Sequence, residues 1–216
     1  MAFRNERALY RKRCDAPGHN EEMISIYSSE KDLKAYDYKF WWSDAWDPFS
    51  FGKEYDFSKP FFEQFKDLRN IFPFPAVSNA RAENSEYCNV NDKSKDCYLI
   101  SASYENERVM YSNRVAFSKD SSDLYVAFKD ELCYEDVACK DSYKLFYSRD
   151  SLGCLDSAFL YNCHNCQNCF GSTNLRGKHF HIFNQPYTKE EYREKIKEFD
   201  LGSYSKVQEV RQSFQK

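Results

Sequence analysis

The run Cys154-Leu-Asp-Ser157-Ala-Phe-Leu160-Tyr-Asn-Cys163-His-Asn-Cys166-Gln-Asn-Cys169 sets a Cys, Ser or Leu at every third position. Cys88, Cys97, Cys133 and Cys139 fall in the same register, so eight of the nine cysteines share one residue class modulo three. From Cys97 to Leu175 the register has 27 positions, and 24 of them are Cys, Ser, Ala, Val, Leu or Ile. The exceptions are Asn106, Asp130 and Asp136. Self-similarity at a short fixed period is the mark of a repeat architecture. A narrow column of this composition predicts the inward face of a parallel β-solenoid. It names no activity.

Two coil lengths fit the pattern. A spacing of eighteen aligns Tyr125, Tyr143 and Tyr161, and separately Met110, Phe128 and Phe146. A spacing of twelve aligns Cys97, Val109, Ser121, Cys133 and Leu145. Eighteen implies a three-sided coil and twelve a flattened, two-sided one. The tyrosine ladder favours eighteen. No coil can bury its inner face alone, so stacking supplies stability and both ends need covers.

The flanks lack the rhythm. Residues 1–76 read as a small, aromatic-rich α/β cap, residues 77–177 as the solenoid, and residues 178–216 as capping helices. The fold class is therefore mainly β. In the first part, Met23–Tyr27 reads as a strand. Trp41, Trp42 and Trp46 cluster as a hydrophobic plug for the solenoid mouth. A helix with Ser58 as N-cap, Pro60 in its first turn and Phe61, Phe65 and Leu68 on one stripe should end before Pro73. In the last part, Thr188-Lys-Glu-Glu191 is a capping box, with Tyr187 and Tyr192 as its hydrophobic staple. Tyr192, Ile196 and Phe199 follow on one stripe, Gly202 is a stop, and a second helix carries Val207, Val210 and Phe214.

Composition excludes some classes of function. The 216 residues carry a net charge of −3, so no global field draws in nucleic acid or a membrane. No run approaches the roughly 18–20 apolar residues of a membrane helix. The first residues show no apolar leader, which predicts a reduced, cytoplasmic setting. Nine cysteines, an odd number, also argue against a complete disulfide framework. The chain is 18% aromatic. Ring stacking is therefore expected to supply much of the cohesion.

Several stretches together resemble an uncharacterised family. They are Phe3-Arg-Asn-Glu-Arg-Ala-Leu-Tyr-Arg-Lys-Arg-Cys14, Trp41-Trp-Ser-Asp-Ala-Trp-Asp-Pro48, Asp56-Phe-Ser-Lys-Pro-Phe-Phe-Glu-Gln-Phe65, Glu83-Asn-Ser-Glu-Tyr87 and Tyr187-Thr-Lys-Glu-Glu-Tyr192. The family is that of cysteine-rich, zinc-ribbon-plus-repeat proteins of candidate-phyla bacteria. The resemblance implies no established activity. It implies paired N-terminal cysteines around a metal. Cys14 fits the first such position, whereas Pro17, Asp37 and Phe40 stand where further cysteines are expected. The zinc-ribbon part thus reads as degenerate or missing.

Candidate sites are few. Cys163, Cys166 and Cys169, with His164, have types and spacing that zinc or an iron–sulfur cluster could use. They also simply continue the inward column, and that packing role is the preferred reading. Cys14, Asp15, His19 and Asp37 form a second zinc candidate, and His179 and His181 would share a strand face. No cofactor is expected. Arg4, Arg7, Arg11, Lys12 and Arg13 form a basic cluster able to meet phosphate. The expected function is a non-catalytic binding or scaffold protein with another protein as partner and the solenoid as platform. The alternatives are RNA or ribosome contact through the basic N-terminus, and a hexapeptide-type acyltransferase. No membrane partner is expected.

Overall fold

The computed structural model describes residues 9–85 and 87–214. The chain is mainly β, with a parallel β-solenoid of about nine turns over residues 79–182 and a few helices. Ser121 lies beside Val109, Ser157 beside Leu145 and His181 beside Cys169, so one coil is twelve residues. The eighteen-residue coil is thereby overturned. Tyr125 and Tyr161 share one row through Val137 and Arg149, while Tyr143 stands in the row of Glu131 and Leu155. Eighteen residues are one and a half coils, so that spacing joins opposite sides of the stack.

The coil is not the two-sided form expected for twelve residues either. From Val90 to Phe180 every third residue has φ between about +45° and +61°. Each coil is thus four triplets, each with one left-handed residue that bends the chain. This conformation costs an L-residue roughly 1–2 kcal/mol, least for Asn and Asp. Asp141, Asp150, Asp156, Asn162, Asn165, Asn168 and Asn174 adopt it, and so do the β-branched Val90 and Val126. Gly171 is required for a second reason, because a Cβ there would strike the Phe183 ring.

Each triplet repays the bend with hydrogen bonds to adjacent coils. The second residue donates its N–H eleven residues forward, as from Ser101 to the Ser112 carbonyl at 3.0 Å. The third donates thirteen residues back, as from Arg108 to the Lys95 carbonyl at 2.9 Å. The first residue points inward, and where the residue twelve positions earlier is Ser, Asn or Asp that side chain meets its N–H. Ser148 Oγ accepts from Leu160 N–H at 3.0 Å, Ser121 Oγ from Cys133 N–H at 3.0 Å and Asn106 Oδ1 from Ser118 N–H at 3.0 Å. The bend at every third residue sets the register, and Ser, Asn and Asp within it add bonds between coils. The column holds Cys88, Cys97, Val109, Leu124, Cys133, Leu145, Cys154, Leu160, Cys163, Cys166 and Cys169 in one core. Its N-terminal end is a buried polar network in which Asn91 donates to Asn79 and accepts from Ser94 and Ser103.

The N-terminal residues form their own core of Cys14, Ala16, Met23, Ala35, Tyr36 and Ala76, beside an antiparallel pair of strands, Tyr10–Arg13 and Glu22–Ser25. A short helix α1 spans Tyr38–Trp41, and α2 spans Phe61–Ile71. Trp41 and Trp46 pack against each other, Tyr36 and Phe72, while Trp42 is 64% exposed. These rings belong to the N-terminal core rather than to a plug in the column. Nor does α2 close the solenoid, since Phe61, Phe62 and Phe65 are exposed. Its cap position is Pro60 and not Ser58, whose hydroxyl is bound by Asp56. The Gln64 side chain holds the approach by bonding the Asp56 backbone in both directions.

Parallel pairing continues past the expected boundary at 177, through the strand His179–Ile182. The next strand, Gln185–Pro186, is antiparallel and ends in a residue with no N–H, which blunts the edge. The Thr188 capping box forms as read and starts α3, Lys189–Lys195; α4 spans Tyr204–Phe214. Tyr192, Val207 and Val210 are buried with Ala158, Phe159, Phe170 and Ile182. These helices therefore cover a flank of the last coils, and Arg211 reaches back to pair with Glu135 over the Tyr147 ring. Deleting residues 186–216 should bare that aromatic flank and cause self-association. Size-exclusion chromatography with light scattering checks this; an unchanged, folded species would show that the helices are dispensable covers.

Candidate functional site

The inward column contains the most reactive side chain types, and the coil engages them. Cys163 Sγ donates to the Tyr161 and Ser172 carbonyls, Cys166 Sγ to the His164 carbonyl, and Cys169 Sγ to the Gln167 and Lys178 carbonyls. His164 lies in the outward row between Leu152 and Arg176, so it does not converge with them. Burial pushes the Cys169 thiol up to about 11 and those of Cys88 and Cys154 to about 12. All nine cysteines are buried free thiols. A protonated, buried thiol is a poor nucleophile and metal ligand. Ellman's reagent at pH 8 should find essentially no reactive thiol in the native chain and nine after denaturation. Fast reaction of the native protein would contradict the inward placement.

Asp130 and Asp136 share one coil's interior with Cys133 and Cys139. Asp130 Oδ1 accepts from Ser142 N–H at 3.0 Å and Asp136 Oδ1 from Ser148 N–H at 2.8 Å, while both Oδ2 atoms are buried without a partner. Asn106, one column-mate of Asp130, shows what that second position is for: its Nδ2 donates to the Val115 carbonyl, nine residues on, at 2.8 Å. A protonated aspartic acid can supply the equivalent donor. Burial raises Asp130 to about 7 and raises Asp136 well above the ordinary carboxyl range. Raised folded-state values favour the neutral form. The stability contribution of Asp130 is full below about pH 4 and is lost as pH rises through about 7, and that of Asp136 is lost likewise as pH rises through its own raised value. Asp130→Asn and Asp136→Asn should each stabilise the protein at pH 8, by on the order of 2 kcal/mol, with the gain vanishing at pH 4. Urea unfolding at the two pH values reads it; a gain independent of pH would show that the carboxyls are ionised in the fold.

The other candidates disperse. Cys14 Sγ accepts from Asp37 N–H at 3.2 Å, and Asp15 accepts from Ala35 N–H at 2.8 Å. Asp37 caps α1, and His19 packs on the Phe40 ring at 5.5 Å. Phe40 packs its ring against the N-terminal core that includes Cys14. Among the described residues no group of three His, Cys, Asp or Glu is placed to hold a metal ion. His179 and His181 do not share a face: His181 follows Cys169 in the inward row, and His179 follows Gln167 in an outward one. With a left-handed residue in each triplet, the alternation of an ordinary strand does not apply.

Arg4 and Arg7 lie outside the described residues. Lys12 is turned to Asp15 and the Leu33 carbonyl, whereas Arg11 lines a cleft of about 520 Å³ with Glu22, Asp37, Tyr38, Lys39 and Tyr87. Arg13 is exposed. The cleft mixes both signs of charge, so Arg11, Lys12 and Arg13 do not form one basic face. Among the described residues no helix is long and apolar enough to cross a membrane.

What the surface does present is rows. Glu83, Lys95, Glu107, Lys119 and Glu131 follow one another up one side, with Lys95–Glu83 at 3.3 Å and Lys119–Glu107 at 3.5 Å. Ladders of contacting rings climb elsewhere, stepping between neighbouring rows: Tyr87, Tyr98 and Tyr111; Tyr104, Phe117 and Phe128; and Tyr134 and Tyr147, continued beneath the C-terminal helices by the buried Phe159 and Phe170. The N-terminal residues add exposed rings at Phe49, Phe57 and Phe62. The alternating charges at a spacing of twelve were readable in sequence and would have decided the coil length. Neither a protein-family model nor a curated protein matches the chain.

Proposed function

We propose that this protein is a non-catalytic binding or scaffold protein that uses the β-solenoid as its platform and another protein as its partner. The carrying observation is the division of labour around the coil. The inward thiols and carboxyls are committed to bonding within the stack, while the outer surface carries a row of alternating Glu and Lys and ladders of contacting rings. A repeat that offers an extended, regular surface suits recognition more than catalysis, which needs a converging set of groups. Nine buried free thiols suit a reducing, cytoplasmic setting.

The test is cross-linking mass spectrometry on the tagged, full-length protein isolated from its native host. The expected result is a recurrent protein partner whose cross-links fall on solenoid lysines such as Lys119, Lys129, Lys140 and Lys144. Retention that disappears with nuclease, with links confined to the N-terminal strands, would overturn this in favour of RNA contact.

A further inference from the structure

Helix α3 and the residues after it occupy a groove along the solenoid, and that groove does not stop where they stop. The groove runs between two outward rows on either side of an inward one. In the last coils its walls are Lys144 and Asp156 on one side and Phe146, Ala158 and Phe170 on the other, over Ser157, and Tyr192, Ile196 and Leu201 lie in it. In the preceding coils the same rows continue as Arg108, Asp120 and Leu132 opposite Met110, Ser122 and Tyr134. Lys144 and Phe146 belong to both stretches. The earlier stretch is an open depression of about 470 Å³, against about 220 Å³ left beside α3. Among the described residues no helix lines it, and Met110 and Leu132 are 43% and 36% exposed.

From this continuity we infer that the open stretch is a docking site for an amphipathic helix of a partner protein, seated as α3 is seated next to it. This rests on the interaction-platform reading and gives it a location. The chemistry of the partner follows from the walls. Three coil spacings separate Arg108 from Lys144, about 14 Å, which about ten helical residues span. The partner helix needs an apolar stripe that reaches Met110 from i, Leu132 from about i+7 and Phe146 from about i+10 or i+11, as Tyr192 and Ile196 meet the later coils. Arg108 is already neutralised by Asp120 and Glu107. The Lys144 ammonium instead lies 5.3 Å over the Tyr143 ring and has no carboxylate partner among the described residues. An acidic residue at the end of the partner stripe next to Lys144 completes the match.

The probe is a displayed library of helical dodecapeptides, selected on the full-length protein. Leu132→Asp is the discriminating variant, because Leu132 is partly exposed and its left-handed backbone, φ +56°, suits Asp. Its folding is checked by circular dichroism and thermal unfolding. The expected result is convergence on apolar-stripe peptides with an acidic end. Their affinity should fall at least tenfold with Leu132→Asp and severalfold with Lys144→Glu. Peptides that bind both variants as well as the parent would overturn the groove; if they map to other solenoid faces, the platform reading survives without it. A concentration-dependent dimer abolished by Leu132→Asp would overturn the inference too, making a second copy the occupant.

Discussion

The stack of coils depends on the polar side chains that meet inward N–H groups. Bending the chain at each third residue turns the first N–H of every triplet away from the neighbouring carbonyls and into the core. A buried N–H without an acceptor costs about 1–3 kcal/mol, so a long stack with none supplied would not persist. The side chain twelve residues earlier supplies it from Ser148, Ser121, Asn106, Asp130 and Asp136. Sulfur takes the same place more weakly: the Val109, Leu145 and Leu175 N–H groups face Cys97, Cys133 and Cys163. Small polar side chains are therefore more than tolerated in this core; they hold its coils together.

The same constraint shapes the chemistry. A column rich in serine and cysteine has hydroxyls and thiols in plenty, yet they are bonded to backbone or, as at Ser94 and Ser103, to the Asn91 side chain. The two carboxyls extend this logic. They accept like Asn106 on one oxygen and gain from a proton on the other. The proposed binding role accordingly rests on the outside, where constant spacing turns sequence differences into rows of charge, ladders of rings and an open groove.

Much of this is legible in the linear order of residues. The modulo-three column identifies the solenoid, and Thr188 with Glu191 identifies the start of the final helix pair. Coil length is not legible from Tyr125, Tyr143 and Tyr161, because one and a half coils return the same outward orientation on the opposite side. Pairing of His179 with His181 fails because a strand's two-residue alternation is replaced by a three-residue one. The tryptophans mislead differently. Trp41 and Trp46 find Tyr36 and Phe72 close by in the fold, and that local core takes them before the solenoid can. The open groove has no linear signal, since its walls come from residues twelve apart.

Ser148 offers the most direct test of the inward hydrogen-bond relay. Its Oγ accepts from Leu160 N–H at 3.0 Å and donates to the Phe146 carbonyl at 2.9 Å. Equilibrium urea unfolding of Ser148→Ala and Ser148→Cys separates hydrogen bonding from packing. The relay predicts that Ala loses about 1–3 kcal/mol while Cys, still able to accept and donate, loses clearly less. Equal stability of the Ala variant and the parent, or an Ala variant more stable than the Cys variant, would contradict it.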